Sequence, residues 1–239
     1  MSTKYTKENP YIPQMKLHES LGNEKIGKIL NTNLQAGDDD INGRVAQKGS
    51  CCGCCDSCKS VCYARDAYRY DTVIEANADN LYYAEHDMFG YFQAVIAELL
   101  RHPSFSYHRW HSSGEIPNRN YIHGVTDTAN SVSGKKHYIY TKRYSWINEE
   151  IGDKANKPSN LSVLFSPPFN CNTLKKIREW AKVNNPYDYP LFIYDDGTDP
   201  EIGKLPHCPA VNKEGHKTGI TCDKCGRCPN GLTTAVYAH

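Results

Sequence analysis

A chain of 239 residues with a formal net charge of +1 fits one large domain or two small ones, and it lacks the basic excess that marks a nucleic-acid-binding protein. No apolar run approaches the roughly 20 residues that span a bilayer, and the start, Met1-Ser2-Thr3-Lys4-Tyr5, lacks the apolar core of a signal peptide. The expectation is a cytoplasmic protein with no membrane partner, in a compartment where eleven cysteines speak for metal or catalysis rather than disulfides.

Residues 1–23 are polar, carry Pro10 and Pro13, and read as an arm lying over a neighbouring element. Residues 25–30 alternate weakly and make a first candidate strand. Asn31 to Gln47, with the run Asp38-Asp39-Asp40, reads as a solvated loop that leads into a cysteine-rich loop at 50–64. From Cys58 the pattern turns helical and continues past Tyr63 to Arg69. A second helix is predicted over 88–101, with Phe92, Val95, Ile96, Leu99 and Leu100 at three-to-four spacing, and Pro103 stops it. Four strand-like runs follow at 105–110, 137–141, 161–165 and 190–195. The segments between them, 120–132, 144–148 and 172–184, read as helices, the last with an apolar stripe of Leu174, Ile177, Trp180 and Ala181. Strand alternating with helix implies parallel strands and right-handed crossovers. The predicted fold class is therefore α/β: a full or partial (β/α) TIM-like barrel over residues 1–205. Residues 206–239 are too short to build a core alone and read as a cysteine-rich, metal-stapled C-terminal cap packed on the same domain. Seventeen tyrosines read as half-buried strand positions and pocket walls.

The cysteines fall into two modules. Six of the eleven, Cys51, Cys52, Cys54, Cys55, Cys58 and Cys62, lie within twelve residues. Adjacent cysteines in so short a loop cannot each find a well-placed disulfide partner, whereas converging thiolates are what a metal site requires. Cys51, Cys55 and Cys58 match the C-x3-C-x2-C spacing of radical S-adenosylmethionine enzymes, although Ser57 stands where an aromatic is usual. Cys51, Cys58 and Cys62 form an equally good trio, with Cys58 and Cys62 one turn apart on one helix face. Three protein ligands leave one iron open for a small molecule; four close the site. In the second module, Cys222-x2-Cys225-x2-Cys228-Pro229 reproduces the first three ligands of a ferredoxin-type [4Fe–4S] motif, and Cys208-Pro209 is the obvious fourth. Zinc on four cysteines is the alternative. Cys171 lies outside both modules, and His207 and His216 flank the second as loop positions.

In an α/β barrel, function gathers where strands end at their carboxyl side. Those ends carry His111-Ser112-Ser113-Gly114-Glu115, then Thr141-Lys142-Arg143, then Ser166, then Asp195-Asp196. The candidate catalytic set is His111, Ser113, Glu115, Lys142 and Arg143. His111 or Glu115 would act as acid or base, and Lys142 and Arg143 would hold an anionic group of a small-molecule substrate. Tyr63, Ser112 and Gly114 complete the set as cofactor-binding positions.

Cys58-Lys-Ser-Val-Cys62-Tyr63-Ala64 resembles the C-x3-C-Tyr-Ala signature of a phage-encoded family known as gene product eighty-eight. Three more stretches agree in the same order. Trp110-His-Ser-Ser-Gly114-Glu115 is similar to its His-x-Ser-Gly-Asp segment, with Glu115 in place of aspartate. Tyr138-Ile-Tyr-Thr-Lys142 is similar to its Tyr-Ala-Tyr-Thr-Lys segment. Cys208-Pro-Ala-Val211, followed by Thr221-Cys-Asp-Lys-Cys225-Gly-Arg-Cys228, is similar to its C-terminal cysteine block. The resemblance spans residues 50–230 and departs at Cys51-Cys52-Gly53, where Cys-Pro-Gly is expected. It implies a phage-encoded protein with cysteine metal ligation and a barrel-like α/β fold, and no settled activity.

The resulting expectation is an iron–sulfur protein with one or two [4Fe–4S] clusters on Cys51, Cys55, Cys58, Cys62, Cys208, Cys222, Cys225 and Cys228. Both modules would sit at one end of a single domain, at the carboxyl ends of the strands, in a redox or radical-type enzyme that uses S-adenosylmethionine. The alternatives are an electron carrier or sensor with closed clusters and a redox partner, or a zinc-stapled phage interaction protein.

Overall fold

The computed structural model describes residues 4–24, 26–53, 56–60, 62–214 and 216–237. The ligand assignment at Cys55, the spare cysteine Cys54 and the start of the first candidate strand at Lys25 lie outside the described residues. In chain order the elements are β1 (Glu19–Ser20), β2 (Leu30–Thr32), α1 (Asp56–Ser60), α2 (Tyr63–Asp66), α3 (Asp71–His86), α4 (Met88–Arg101), β3 (Tyr107–Trp110), α5 (Asn120–Ser131), β4 (Lys136–Thr141), α6 (Tyr144–Glu150), β5 (Leu161–Phe165), α7 (Leu174–Asn184), β6 (Phe192–Asp195), α8 (Cys222–Cys225) and β7 (Thr234–Tyr237). Among the described residues no helix is long and apolar enough to cross a membrane.

The protein is mixed α/β, with strand order β1-β2-β3-β4-β5 in one sheet and β6-β7 in a second. The pair β4–β5 is parallel, as the strand–helix alternation predicts; β6 also pairs in parallel with β7, a strand that the sequence reading did not expect. The full barrel is corrected: among the described residues the strands close no ring. The reason is local. β1 and β2 pair antiparallel over two residues each, and such a hairpin does not continue the strand–helix–strand repeat that a (β/α) ring needs. A single parallel bridge, Phe165 to Leu191, joins β5 to the residues ahead of β6.

The chain divides into two compact units, each assembled from separated segments: residues 1–20, 31–103 and 110–132 form the first, and residues 21–30, 104–109 and 133–239 the second. The tail from 206 onward belongs to the second unit and supplies β7.

In the first unit the N-terminal arm does lie over a neighbour, α3. The Asp79 carboxylate accepts from the Tyr11 hydroxyl at 2.7 Å, from the Gln14 amide at 2.8 Å and contacts His18 Nε2 at 3.0 Å. Asn80 accepts from the His18 amide and donates to its carbonyl. These buried polar groups are mid-helix and would be costly without partners; the arm supplies them. The aromatic core of this unit is Tyr91, Phe92, Trp110 and Tyr121, with Phe92 and Tyr121 centroids 4.8 Å apart. Helix α4 has the predicted bounds because Asp87 caps it, accepting from the Gly90 amide at 2.9 Å.

The continuous helix predicted from Cys58 is broken. Helix α1 stops at Ser60, and Cys62 stands outside α2 as its N-cap in an extended conformation, φ −78° and ψ 94°. Cys58 and Cys62 therefore do not share a helix face. The Asp38-Asp39-Asp40 loop is latched rather than merely solvated: Asp38 pairs with Lys59 at 3.0 Å, Asp39 with Arg65 at 2.8 Å, and Asp40 accepts from the Gly43 amide at 2.6 Å.

In the second unit the alternation of β4 and β5 makes one face aromatic. Tyr138 and Leu164 are buried there with Ile26 and Ile29, and Tyr107, Tyr140 and Phe192 pack against them. Tyr107, Tyr138 and Tyr140 are strand positions as their β propensity predicts, whereas Tyr82, Tyr83, Tyr91, Tyr121 and Tyr144 lie in helices. On β3, His108 and Trp110 alternate with Tyr107 and Arg109, and both are fully buried.

Candidate metal centre

The second module is built on that aromatic face. Thr221 is extended and starts α8, a single turn that places Cys222 and Cys225 at its two ends. Cys228 follows at the start of a short 3-10 turn, Cys228–Asn230. Cys208 is fixed from a different direction: its amide donates to the Ala235 carbonyl of β7 at 2.7 Å. Four further hydrogen bonds seat the loop. The Asp223 carboxylate accepts from the Thr221 hydroxyl and, at 3.1 Å, from the Lys28 amide. The Ser162 hydroxyl donates to the Pro229 carbonyl at 2.9 Å. Lys136 donates to the Asn230 side chain. Asp223 can approach this closely because residue 27 is glycine at φ +72°; a Cβ there would stand 1.9 Å from its Oδ1.

These contacts correct the placement expected from the barrel. The module touches the first residue of β4 and the second of β5, and it also reaches Tyr140 near the end of β4. It lies across the sheet face rather than at the carboxyl ends of the strands. The alternating aromatic side chains make the face, not the strand ends, the dry surface on which cysteines can pack.

Cys222 and Cys228 both pack into this cluster. Burial pushes the Cys222 thiol up to about 11; Arg109 pulls it down, while Cys208, Cys228 and Cys225 push it up. Burial also raises the Cys228 thiol, opposed by a hydrogen bond from the Tyr140 hydroxyl and by Arg109, with Cys208 adding to the rise. Cys222 therefore feels all three other thiols of the predicted quartet. Among the described residues, no group of three or more His, Cys, Asp or Glu side chains that could hold a metal ion is found, and the described cysteines form no disulfide. The candidate donors are all sulfur, the soft ligand type that iron–sulfur clusters and zinc both take.

The first module is organised by the segment read as catalytic. The Asn33 side chain accepts from the Ser112 amide at 2.9 Å, the Ser112 hydroxyl at 2.7 Å and the Ser113 amide at 3.2 Å. Gly114 sits at φ +89°, and a Cβ there would stand 2.8 Å from Leu34. The Glu115 amide donates to the Ser50 hydroxyl at 2.9 Å, and Ser50 in turn donates to the Gln35 carbonyl at 2.9 Å. The Tyr63 hydroxyl donates to the Ser112 carbonyl, although its side chain is 58 % exposed. Ser50 precedes Cys51 and Tyr63 follows Cys62, so this turn holds the residues next to two candidate ligands. Cys51 and Cys62 pack on one core cluster with Ala36, Ala64 and Tyr68.

His111, Ser113 and Glu115 fall in the first unit, Lys142 and Arg143 in the second. His111 is buried, with Nε2 2.9 Å from the Tyr121 hydroxyl, which lies 3.1 Å from that of Tyr91. Ser113 accepts from the Asn77 side chain at 3.2 Å. Glu115 turns back to accept from the Ile116 amide at 2.8 Å. Lys142 does stand at a strand end, donating to the Ser166 hydroxyl at 2.7 Å, with its ammonium over the Phe169 ring. Arg143 lies over the Trp146 ring at 4.5 Å. Asp195 holds His207 at 2.8 Å, directly before Cys208. The two cysteine modules fall in different units.

Sequence reading missed Arg109 and Tyr140. The signal was present: a charged residue two positions from Tyr107, in a strand whose alternation makes them neighbours on one face.

A family model described as gene product 88 matches residues 8–231, most of the chain. No curated protein and no solved structure matches it.

Proposed function

The chain belongs to the gene product 88 family, and from that premise we propose that it is a phage-encoded iron–sulfur protein of the host cytoplasm, with a [4Fe–4S] cluster on Cys208, Cys222, Cys225 and Cys228. The observation that supports this reading is the packing of Cys222 and Cys228 on one aromatic face, with Cys225 on the same helical turn as Cys222 and Cys208 tied to β7. The run of three cysteines at three-residue spacing favours a cluster over zinc, whose ribbons usually separate two C-x2-C pairs.

When bound, such a cluster supplies one-electron transfer. Four protein thiolates close it, so the reading for this unit is electron transfer to or from a redox partner. The chain's own residues hold it in place: Asp223 locks α8 to residues 26–28, Ser162 fixes the loop after Cys228, and the tyrosines exclude water. The enzymatic branch rests on the first unit. There Cys51, Cys58 and Cys62 are the candidate ligands of a second cluster with an open iron, able to take S-adenosylmethionine or a small-molecule substrate.

Iron, sulfide and zinc content of protein purified without oxygen tests both. About four irons and four sulfides per chain match one cube and about eight match two. Zinc without sulfide removes the redox reading and makes both modules structural staples.

A further inference from the structure

Away from the cysteines, the second unit holds a cavity of about 540 Å³, inside the range of roughly 300–1,000 Å³ usual for small-molecule sites. Its apolar lining comes from Val163 of β5, Ala181 of α7, and Pro190 and Leu191 ahead of β6. Two of its polar side chains are spent within the protein. Asn185 donates to the Tyr189 carbonyl at 2.8 Å and accepts from the Tyr189 amide at 2.7 Å, and Ser162 donates to the Pro229 carbonyl at 2.9 Å.

The groups with hydrogen-bonding capacity left are donors. The Lys157 ammonium is half-buried, and its one hydrogen bond among the described residues is long, 3.5 Å to the adjacent Pro158 carbonyl. The Thr233 hydroxyl accepts from the Leu191 amide at 3.1 Å, which leaves its own proton to give. Ser159 brings a second hydroxyl to the same cavity. Asp188 is the one acidic side chain of the lining. It is 96 % exposed and is engaged by Lys154, whose Nζ stands 3.4 Å from the carboxylate. An ammonium drawn half out of water without a counter-ion is unfavourable. Burial, and then the charge of Lys154, push Lys157 below the ordinary 10.5. A bound anion relieves both.

We propose that this cavity binds a small organic oxyanion, a phosphate monoester or a carboxylate, with Lys157 as its counter-ion, Ser159 and Thr233 as hydroxyl donors, and Val163, Pro190 and Leu191 facing its apolar body. A lining rich in unspent donors and poor in acceptors selects a ligand that only accepts, which an ionised oxyanion does. The inference uses no cysteine and stands apart from the iron–sulfur reading.

The test is isothermal titration calorimetry of the full chain at low salt, where charge pairing is least screened, with phenyl phosphate, benzoate and phenol as probes. Saturable binding of phenyl phosphate or benzoate is expected, with none of phenol, and the tighter of the two anions names the class. Lys157→Gln is expected to weaken that binding at least about tenfold. Lys157→Arg keeps the charge and is expected to retain most of the affinity, and Thr233→Val to lose less than Lys157→Gln does. Wild type that binds neither anion overturns the inference, as does a folded Lys157→Gln protein of unchanged affinity. Phenol binding as tightly as the anions overturns it too, because the cavity is then merely apolar. Should Lys157→Gln not fold, Thr233→Val decides, and unchanged affinity there overturns the inference. Protein without iron or sulfide is expected to bind the same anion equally well, so failure of the cluster reading is a separate result.

Discussion

In the first unit, Cys51 and Cys62 hang from loop backbone tied down by Ser50, Asn33 and Tyr63. In the second, Cys222 and Cys228 lie on a sheet face of Tyr107, Tyr138, Tyr140 and Phe192. Both modules are tied by hydrogen bonds and both pack cysteines on an apolar core, but the first packs on loops and helices and the second on regular strands. The difference matters because a loop places single residues, whereas a strand face repeats its side chains every second residue and so surrounds the sulfur with rings.

The largest effect expected from this contrast is on metal content. Cys222→Ala should remove the cluster of the second unit, seen as loss of its iron, sulfide and visible absorption, while the first unit keeps its fold by circular dichroism. Full iron content in that variant would take Cys222 out of the ligand set and break the comparison. Next is Gly114→Ala, which forces a side chain into a positive-φ turn and against Leu34. It should cost about 2–4 kcal/mol in urea unfolding without altering the cysteines of the second unit. A loss below about 0.5 kcal/mol would mean that this turn can relax. Ser50→Ala removes one hydroxyl that both donates to Gln35 and accepts from Glu115. It should destabilise the first unit by about 1–3 kcal/mol, and an unchanged unfolding midpoint would show that the loop has another anchor.

The smallest effect is electrostatic. The Lys59 ammonium beside Asp38 holds its carboxyl below the ordinary 3.8. A carboxyl lowered in the folded state adds stability above its unfolded value and loses it as pH falls through the folded one. Wild type should therefore lose slightly more stability than Asp38→Asn as pH is taken down from 5 through the acid range, on the order of a surface ion pair. Identical acid profiles for the two proteins would show that the Asp38–Lys59 pair does not hold the loop beside Cys58 in solution.

Hydrophobic period made much of this fold readable. Helix α4 and strand β5 have the bounds their patterns predict, because an apolar stripe between clear stops admits one reading. The helix through Cys58 and Cys62 failed for the converse reason. Absence of proline permits a helix but does not propagate one, and Cys62 takes an extended cap instead. Strand β7 was hidden in a tail judged too short for its own core. It needs none, since it pairs in parallel with β6. Of the candidate sites, the cysteines were legible from spacing alone. The role of Ser112, Ser113 and Glu115 was not, because a polar turn that binds a ligand and a polar turn that binds its own backbone look alike in sequence. Their partners, Asn33 and Ser50, lie tens of residues away.

The interleaved make-up of the two units also carries a consequence for synthesis. The first unit uses nothing beyond residue 132, whereas the second combines residues 21–30 with β7 at Thr234–Tyr237. On a translating ribosome the first unit can assemble while the second still waits for its last strand. Residues 21–30 must remain uncommitted until their partners beyond residue 132 are made, and Cys208 gains its β7 anchor only once Ala235 has emerged. Completion of the second unit is therefore a later event than folding of the first.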